Sequence, residues 1–348
     1  TATTEIYTLS LRDALPICQP VDALPFKHAF GLMPGVFDAW RDEGLPASVA
    51  TEAQVAEWAG FEFPGAPARV NLGPLPAEPA QVLQDDDRWR ICRDGWGRVT
   101  RLLKGYASLP IPLEFPVRDA RDWQAWLGRF QFTEDRLLAG LEEQVTTTRV
   151  KGGLAVFSAL GFYWLPRQLM GDEALCLAYY DQPDLVHSMC NTWADLLAEV
   201  LEATCARVQV DQLHLGEDMA YRGGSLISQA TFEDFCAPHY RRLARLAEKW
   251  DIPVFSVDSD GDLNELAGWL VDCGVNLVLP CEVQAGNDVR VLRDRYGPHL
   301  AVEGGLEKQT LTLGIEAVDA LLEELVPAMK ARGGWVASLD HRVVLGTK

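Results

Sequence analysis

From residue 153 onward, short β-prone apolar runs recur at residues 154–157, 212–215, 254–257, 276–279, 300–302 and 335–337, separated by segments whose apolar positions repeat at helical spacing. Runs this short and this apolar suit strands buried on both faces. Their alternation with helical text is the pattern of successive βα units around a parallel sheet. One connecting helix is legible in detail. Across residues 231–250, Phe232, Phe235, Leu243, Leu246 and Trp250 recur about a helical turn apart, while Arg241, Arg242, Arg245 and Lys249 take the other face. This predicts an outer helix whose arginines are solvated.

Residues 26–126 read differently, being rich in Pro, Gly and Trp. Within them, residues 88–103 predict two strands around Asp94-Gly95-Trp96-Gly97, whose glycines suit a tight turn. Part of this region is expected to elaborate one rim. Six strands in the last two-thirds, with two more drawn from residues 69–75 and 88–103, make eight. The expected fold is therefore α/β, a (β/α)8 TIM barrel with an N-terminal elaboration. An open doubly wound sheet is the alternative, because a strand count does not establish closure. Residues 1–17 show no periodicity and read as a non-native, adapter-like leader, leaving residues 18–348 as one expected domain. The chain stops shortly after the last predicted strand, without a covering helix, which points to a truncated C-terminus.

Charge narrows the partners. The 50 acidic side chains exceed the 31 basic ones, a net −19 that repels nucleic-acid phosphates and anionic headgroups. No apolar run approaches the ~20 residues that span a bilayer, and no basic-then-apolar leader opens the chain. A cytoplasmic protein acting on a small molecule is expected. The eight cysteines are scattered without a CxxC pair, as small core residues in a reducing compartment would be.

In a parallel α/β protein, polar residues just past each strand face the ligand crevice. Glu217 and Asp218 follow one strand and suit a metal, a cationic group or acid–base work; a solvated acidic turn is the plainer reading. Ser228 precedes the next helix and suits its N-cap. In Asp258-Ser259-Asp260-Gly261-Asp262, alternate residues of an extended stretch project together, so Asp258 and Asp260 converge. No glutamate ends that loop as an EF-hand requires. Glu282, Glu303 and the pair Asp340-His341 follow later strands, bringing carboxylates and an imidazole to one rim. His341 suits metal ligation or general acid–base catalysis, or simple packing at the barrel mouth. His187 and His239 fall in helical text, and His214 inside a strand. Gly304 and Gly305 with Lys308 suit close approach of an anionic ligand, or only a tight turn. Trp96, Tyr163, Trp164 and Tyr221 fall near loop positions that would line an apolar pocket.

The stretches GEDMAYRGGSLISQATFEDFCAPHYRRL (216–243), VFSVDSDGDLNEL (254–266), PCEVQAGNDVRVLRDRYG (280–297), EGGLEKQTL (303–311) and SLDHRVV (338–344) resemble the uroporphyrinogen decarboxylase superfamily. That resemblance implies a (β/α)8 barrel and one of two chemistries: cofactor-free decarboxylation of porphyrinogen acetates, or zinc-dependent methyl transfer involving a corrinoid protein. The arginine-rich RQAGRY signature of true decarboxylases has no counterpart here. Methyltransferase relatives present a His-x-Cys-Gly segment and a later cysteine as zinc ligands, positions that Asp258, Asp260 and His341 occupy in this chain. The resemblance thus implies a metal-assisted methyltransferase-like enzyme. Asp258, Asp260 and His341 are its expected ligands for a divalent ion, zinc first. Glu217, Asp218, Glu282 and His341 are its expected catalytic groups, and Tyr221, Trp96, Gly304, Gly305 and Lys308 its substrate contacts, with a corrinoid carried by a partner protein. A decarboxylase-like carboxy-lyase and a non-catalytic ligand-binding barrel are the alternatives.

Overall fold

The computed structural model describes residues 25–26, 31–61, 63–105 and 109–347; the leader at 1–17 lies outside the described residues. In chain order the strands are Gly65–Pro67 (β1), Gln81–Asp85 (β2), Trp89–Arg93 (β3), Val99–Leu103 (β4), Ile111–Glu114 (β5), Leu154–Leu160 (β6) and Gln212–Gly216 (β7). They continue with Ala220–Tyr221 (β8), Gly224–Ser225 (β9), Val254–Asp258 (β10), Leu277–Cys281 (β11), Ala301–Leu306 (β12) and Trp335–Leu339 (β13).

Seven of these form one parallel sheet in the order β1-β6-β7-β10-β11-β12-β13. Side chains alternate across it. Leu154, Val254, Leu277, Leu279, Ala301 and Val336 form an inner cluster, while Phe157, Leu213, Phe255, Val257, Val278 and Val302 belong to the large core beneath the helices. The inner face is not wholly apolar. Gln212 Nε2 donates to Ser256 Oγ at 2.7 Å, and His214 Nδ1 lies 2.9 Å from the same hydroxyl, so His214 is tied into the wall of the sheet.

The sheet curls. Phe26 forms an isolated parallel bridge to Ala337 outside β13, and Ala337 donates its N–H to the Pro25 carbonyl at 3.0 Å. The Phe26 ring stacks on Phe61 at 4.8 Å, only four residues before β1 at the opposite edge. The edges of a flat seven-stranded sheet would stand roughly 29 Å apart, so this aromatic contact requires a barrel-like curvature. Among the described residues no backbone ladder joins β1 to the Phe26 bridge.

The longest helix, Pro183–Cys205, buries Val186, Met189, Cys190, Trp193, Leu197, Val200 and Leu201 along one stripe. Each such side chain contributes about 1.5–3 kcal/mol when fully buried. Trp193 also donates its indole N–H to the Leu160 carbonyl at 2.8 Å, pinning the end of β6.

Three expectations change. The strands predicted within 88–103 exist as β3 and β4, but they belong to a separate antiparallel sheet, β2-β3-β4-β5, and do not contribute to the barrel wall. A hairpin pairs locally first, and both its edges are taken by β2 and β5. In place of the expected strand at 69–75, the wall uses β1, and Val70 makes only an isolated bridge to Leu137. The helix expected over 231–250 is two helices, Gln229–Phe235 and Ala237–Lys249, because Pro238 lacks the N–H that a continuous helix needs. Ser228 caps the first, its Oγ accepting the Thr231 N–H at 3.1 Å. The arginines of the second are paired as well as solvated: Arg241 with Glu233 at 2.9 Å and Arg242 with Asp195 at 2.6 Å.

Candidate functional site

At the carboxyl end of the sheet, the loops after β10, β11, β12 and β13 are laced to one another through side chains. Asp340, just past β13, carries no exposed surface. Its Oδ2 accepts the Val283 N–H at 3.1 Å, and its Oδ1 accepts the Lys308 N–H at 3.0 Å. One carboxylate therefore ties the β11 and β12 loops to the β13 end. Burial pushes its carboxyl above the usual range, against those two donors. Glu282, the residue before Val283, accepts the Gly261 N–H on Oε2 at 2.9 Å. Gly261 has φ 93, and a Cβ there would lie 2.6 Å from the Tyr221 backbone N, so only glycine lets the Asp258–Asp262 turn pack under the β8–β9 hairpin.

This lacing gathers Asp260, Glu282 and His341. One ligand-type atom from each lies within 4.8 Å of the others. His341 Nε2 is 3.7 Å from Asp260 Oδ2, and the hydrogen bond and charge of Asp260 raise the imidazole pKa above its ordinary value. The other ring nitrogen, Nδ1, accepts the Arg342 N–H at 2.8 Å. Lys308 Nζ stands 3.4 Å from Glu282 Oε1 and 3.8 Å from Asp340 Oδ1.

Asp258 is placed differently from Asp260. It ends β10, its carbonyl accepting the Glu217 N–H at 2.8 Å, and its carboxylate is not part of the three-residue cluster; Glu282 takes that place. The intervening Ser259 is buried, its Oγ accepting the Met219 N–H at 3.1 Å, which turns the chain between the two aspartates. Asp218 adopts a left-handed φ of 51 and pairs with Arg167 at 3.2 Å; burial, then the Asp260 charge, raise its pKa. Arg167 also holds Asp172 at 2.8 Å.

Glu217 is sealed. Phe162 and Tyr163 donate their N–H groups to its two oxygens at 2.6 and 2.8 Å, Trp164 donates at 3.0 Å, and the Tyr240 hydroxyl donates to Oε1. It has no exposed surface, and burial pushes its pKa up to about 7 despite four donors. A Cβ at Gly161 would stand 2.0 Å from its carboxyl carbon.

Tyr221 is exposed beside the Asp260 turn, its carbonyl accepting the Asp262 N–H at 3.0 Å. Gly304 and Gly305 are buried within β12, where a Cβ would meet the Cys281 backbone N at 2.7 Å and Val289 at 2.6 Å. Trp96 lies in the β3–β4 turn with its ring 6.1 Å from Phe130. Glu303 is buried on the inner side of β12. Tyr163 is buried with its hydroxyl 3.1 Å from Asp172, and Trp164 lies under the Arg167 guanidinium.

Sequence reasoning passed over Arg167 and the tethering role of Asp340. Arg167 sits a turn into the helix Trp164–Met170, away from the strand-end positions where ligand groups are expected. Asp340 was legible only as the neighbour of His341.

The uroporphyrinogen decarboxylase (URO-D) family model matches residues 150–348, the span that carries every strand of the parallel sheet except β1 and every residue of the laced rim. The chain belongs to the uroporphyrinogen decarboxylase family. Within this URO-D fold, a methyltransferase from Methanosarcina mazei is structurally similar, with a TM-score of 0.60 at 15% identity over 98% of this chain and 95% of that one. A protein assigned as a vitamin-B12 independent methionine synthase from Listeria monocytogenes aligns over 57% of this chain and 62% of its own, at 14% identity and a TM-score of 0.35. No curated protein sequence matches the chain. Among the described residues, no helix is long and apolar enough to cross a membrane.

Proposed function

We propose that this URO-D family member is a metal-assisted, methyltransferase-like enzyme whose divalent ion is held by Asp260, Glu282 and His341. The observation that carries the reading is the convergence of one donor atom from each within 4.8 Å. Three oxygen and nitrogen donors with positions left over for a ligand suit zinc, manganese or ferrous iron. The donor set contains no cysteine: Cys281, the cysteine nearest in sequence to Glu282, is buried and outside the cluster. When bound, the ion supplies Lewis acidity toward a substrate oxygen, sulfur or nitrogen. The protein's own groups do the rest. The Gly261 N–H fixes one oxygen of Glu282, Asp340 holds the loops in register, and Asp260 sets the charge at His341 Nε2. Tyr221, exposed beside the Asp260 turn, and Lys308 are the proposed substrate contacts. The likeness to a methyltransferase supports methyl transfer, with a corrinoid on a partner protein as the first donor to assay.

The deciding experiment is elemental analysis of the purified protein, with Asp260→Asn, Glu282→Gln and His341→Ala compared to wild type. Near-stoichiometric metal in wild type and its loss in each variant supports the reading. Metal content near zero in wild type, or unchanged in the variants, sinks it.

One observation favours a second reading, a metal-free carboxy-lyase-like enzyme. With Nδ1 accepting the Arg342 N–H, a neutral His341 carries its proton on Nε2, facing Asp260. That arrangement moves a proton readily, and metal ligation through Nε2 requires giving up the Arg342 bond. Carbon dioxide release from a carboxylated substrate in strong chelator would favour this alternative. A barrel that binds ligand without turnover would give neither result.

A further inference from the structure

We infer that Lys308 is a built-in counter-cation of the rim: its ammonium holds Glu282 while no metal is bound, and must give Glu282 up, retreating to Asp340, when an ion arrives. The inference rests on the metal reading above. Three carboxylates, Asp260, Glu282 and Asp340, crowd these loops, and like charges this close repel unless a cation intervenes. Lys308 supplies one from within the chain. Its side chain is 16% exposed and that of Glu282 is 19%, so the 3.4 Å pair is largely shielded from water and salt.

The two ends of the pair are not equally free. Glu282 Oε2 is fixed by the Gly261 N–H at 2.9 Å, and the Lys308 backbone N–H is anchored on Asp340 Oδ1 at 3.0 Å. The lysine stem is the flexible part, four methylenes carrying a charge that can turn between Glu282 Oε1 at 3.4 Å and Asp340 Oδ1 at 3.8 Å. An ion ligated by Glu282 would sit against this ammonium and repel it. Fully buried Asp340 is the acceptor that keeps Lys308 near the rim after displacement. Lys308 thus sets how tightly the site takes an ion, acting through Glu282 as a positioning residue.

The test is a zinc titration of the full chain against a competing chromophoric chelator, for wild type, Lys308→Met and Lys308→Arg, with Lys308→Gln as the second neutral variant should the methionine fail to fold. Removing the competing charge is expected to tighten zinc binding by roughly tenfold or more, while Lys308→Arg stays near wild type. A wild type that binds no zinc beside a Lys308→Met protein that does overturns the metal reading for the natural chain, and the inference with it. If wild type binds and the neutral variants bind equally or more weakly, Lys308 is not a competitor and the inference is overturned while the metal reading stands. Zinc binding in none of the proteins overturns both. Tight binding that survives in Lys308→Met/Glu282→Gln places the ion elsewhere and also overturns it.

Discussion

Two carboxylate centres sit at the same end of the parallel sheet, and they have opposite environments. Glu217, after β7, is enclosed by three amides and a tyrosine hydroxyl with no surface left exposed. Asp260, Glu282 and His341, after β10, β11 and β13, are each partly open, share few donors and face one another. The comparison teaches that a carboxylate at a barrel strand end is not thereby a reactive one. What separates the two is burial and the number of donors that each oxygen receives. A buried carboxylate held by four donors clamps the β6 and β7 loops together, while the partly exposed cluster can be reached from outside.

The largest effect expected from this contrast is on stability at the sealed centre. Glu217→Gln turns an amide N–H2 toward backbone donors and leaves buried groups unsatisfied, which costs about 3–5 kcal/mol. Chemical denaturation should record that loss, and zinc affinity of the folded fraction should not change. A stability within 1 kcal/mol of wild type, by roughly the error of such fits, would erase the distinction between the centres. Next come the proposed ligands of the open rim. Asp260→Asn, Glu282→Gln and His341→Ala should each weaken metal binding a hundredfold or more, roughly 2.8 kcal/mol, with little change in unfolding midpoint. Isothermal titration beside thermal melts separates the two readouts. A smaller step is Tyr240→Phe, which removes one donor from Glu217 Oε1 and should cost about 2 kcal/mol, read by denaturant midpoint.

The smallest effect is a pH slope to which two buried groups contribute with opposite sign. Burial raises Glu217 from 4.5 to about 7 and lowers His239, its ring centroid 4.9 Å from that of Phe162, from 6.5 to about 4. The raised carboxyl stabilises the fold below pH 4.5, and that contribution is lost as pH rises through about 7. The depressed imidazole acts the other way, its contribution present above pH 6.5 and lost as pH falls through about 4. Between pH 4.5 and 6.5 the slopes oppose one another. His239→Gln should therefore expose a stability that falls with rising pH, and Glu217→Gln one that rises. Parallel stability–pH profiles for wild type and both variants would show that the assigned shifts are wrong.

Much of this contrast could be anticipated and part could not. The β-prone runs at 212–215, 254–257, 276–279 and 335–337 lie inside β7, β10, β13 or, for β11, within one residue of its start, so the strand ends that bear these carboxylates are legible in the sequence. Asp260, Glu282 and His341 are all recognisable from the sequence as rim residues. The pairing of Asp258 with Asp260 was a one-dimensional inference from alternation, and the buried Ser259 turn defeats it. Glu217 and Asp218 look equivalent as adjacent letters. One meets a set of amides from 53 to 55 residues away and the other meets Arg167.

By itself the sequence determined the order of strands and helices and the carboxylate-rich character of the strand ends, because apolar periodicity is local and side-chain direction follows from it. Tertiary structure alone decided that the 88–103 hairpin leaves the barrel wall, that Glu282 rather than Asp258 completes the cluster, and that Glu217 is sealed while Asp260 is open. Burial and donor supply come from segments distant in the chain, and a carboxylate's behaviour depends on both.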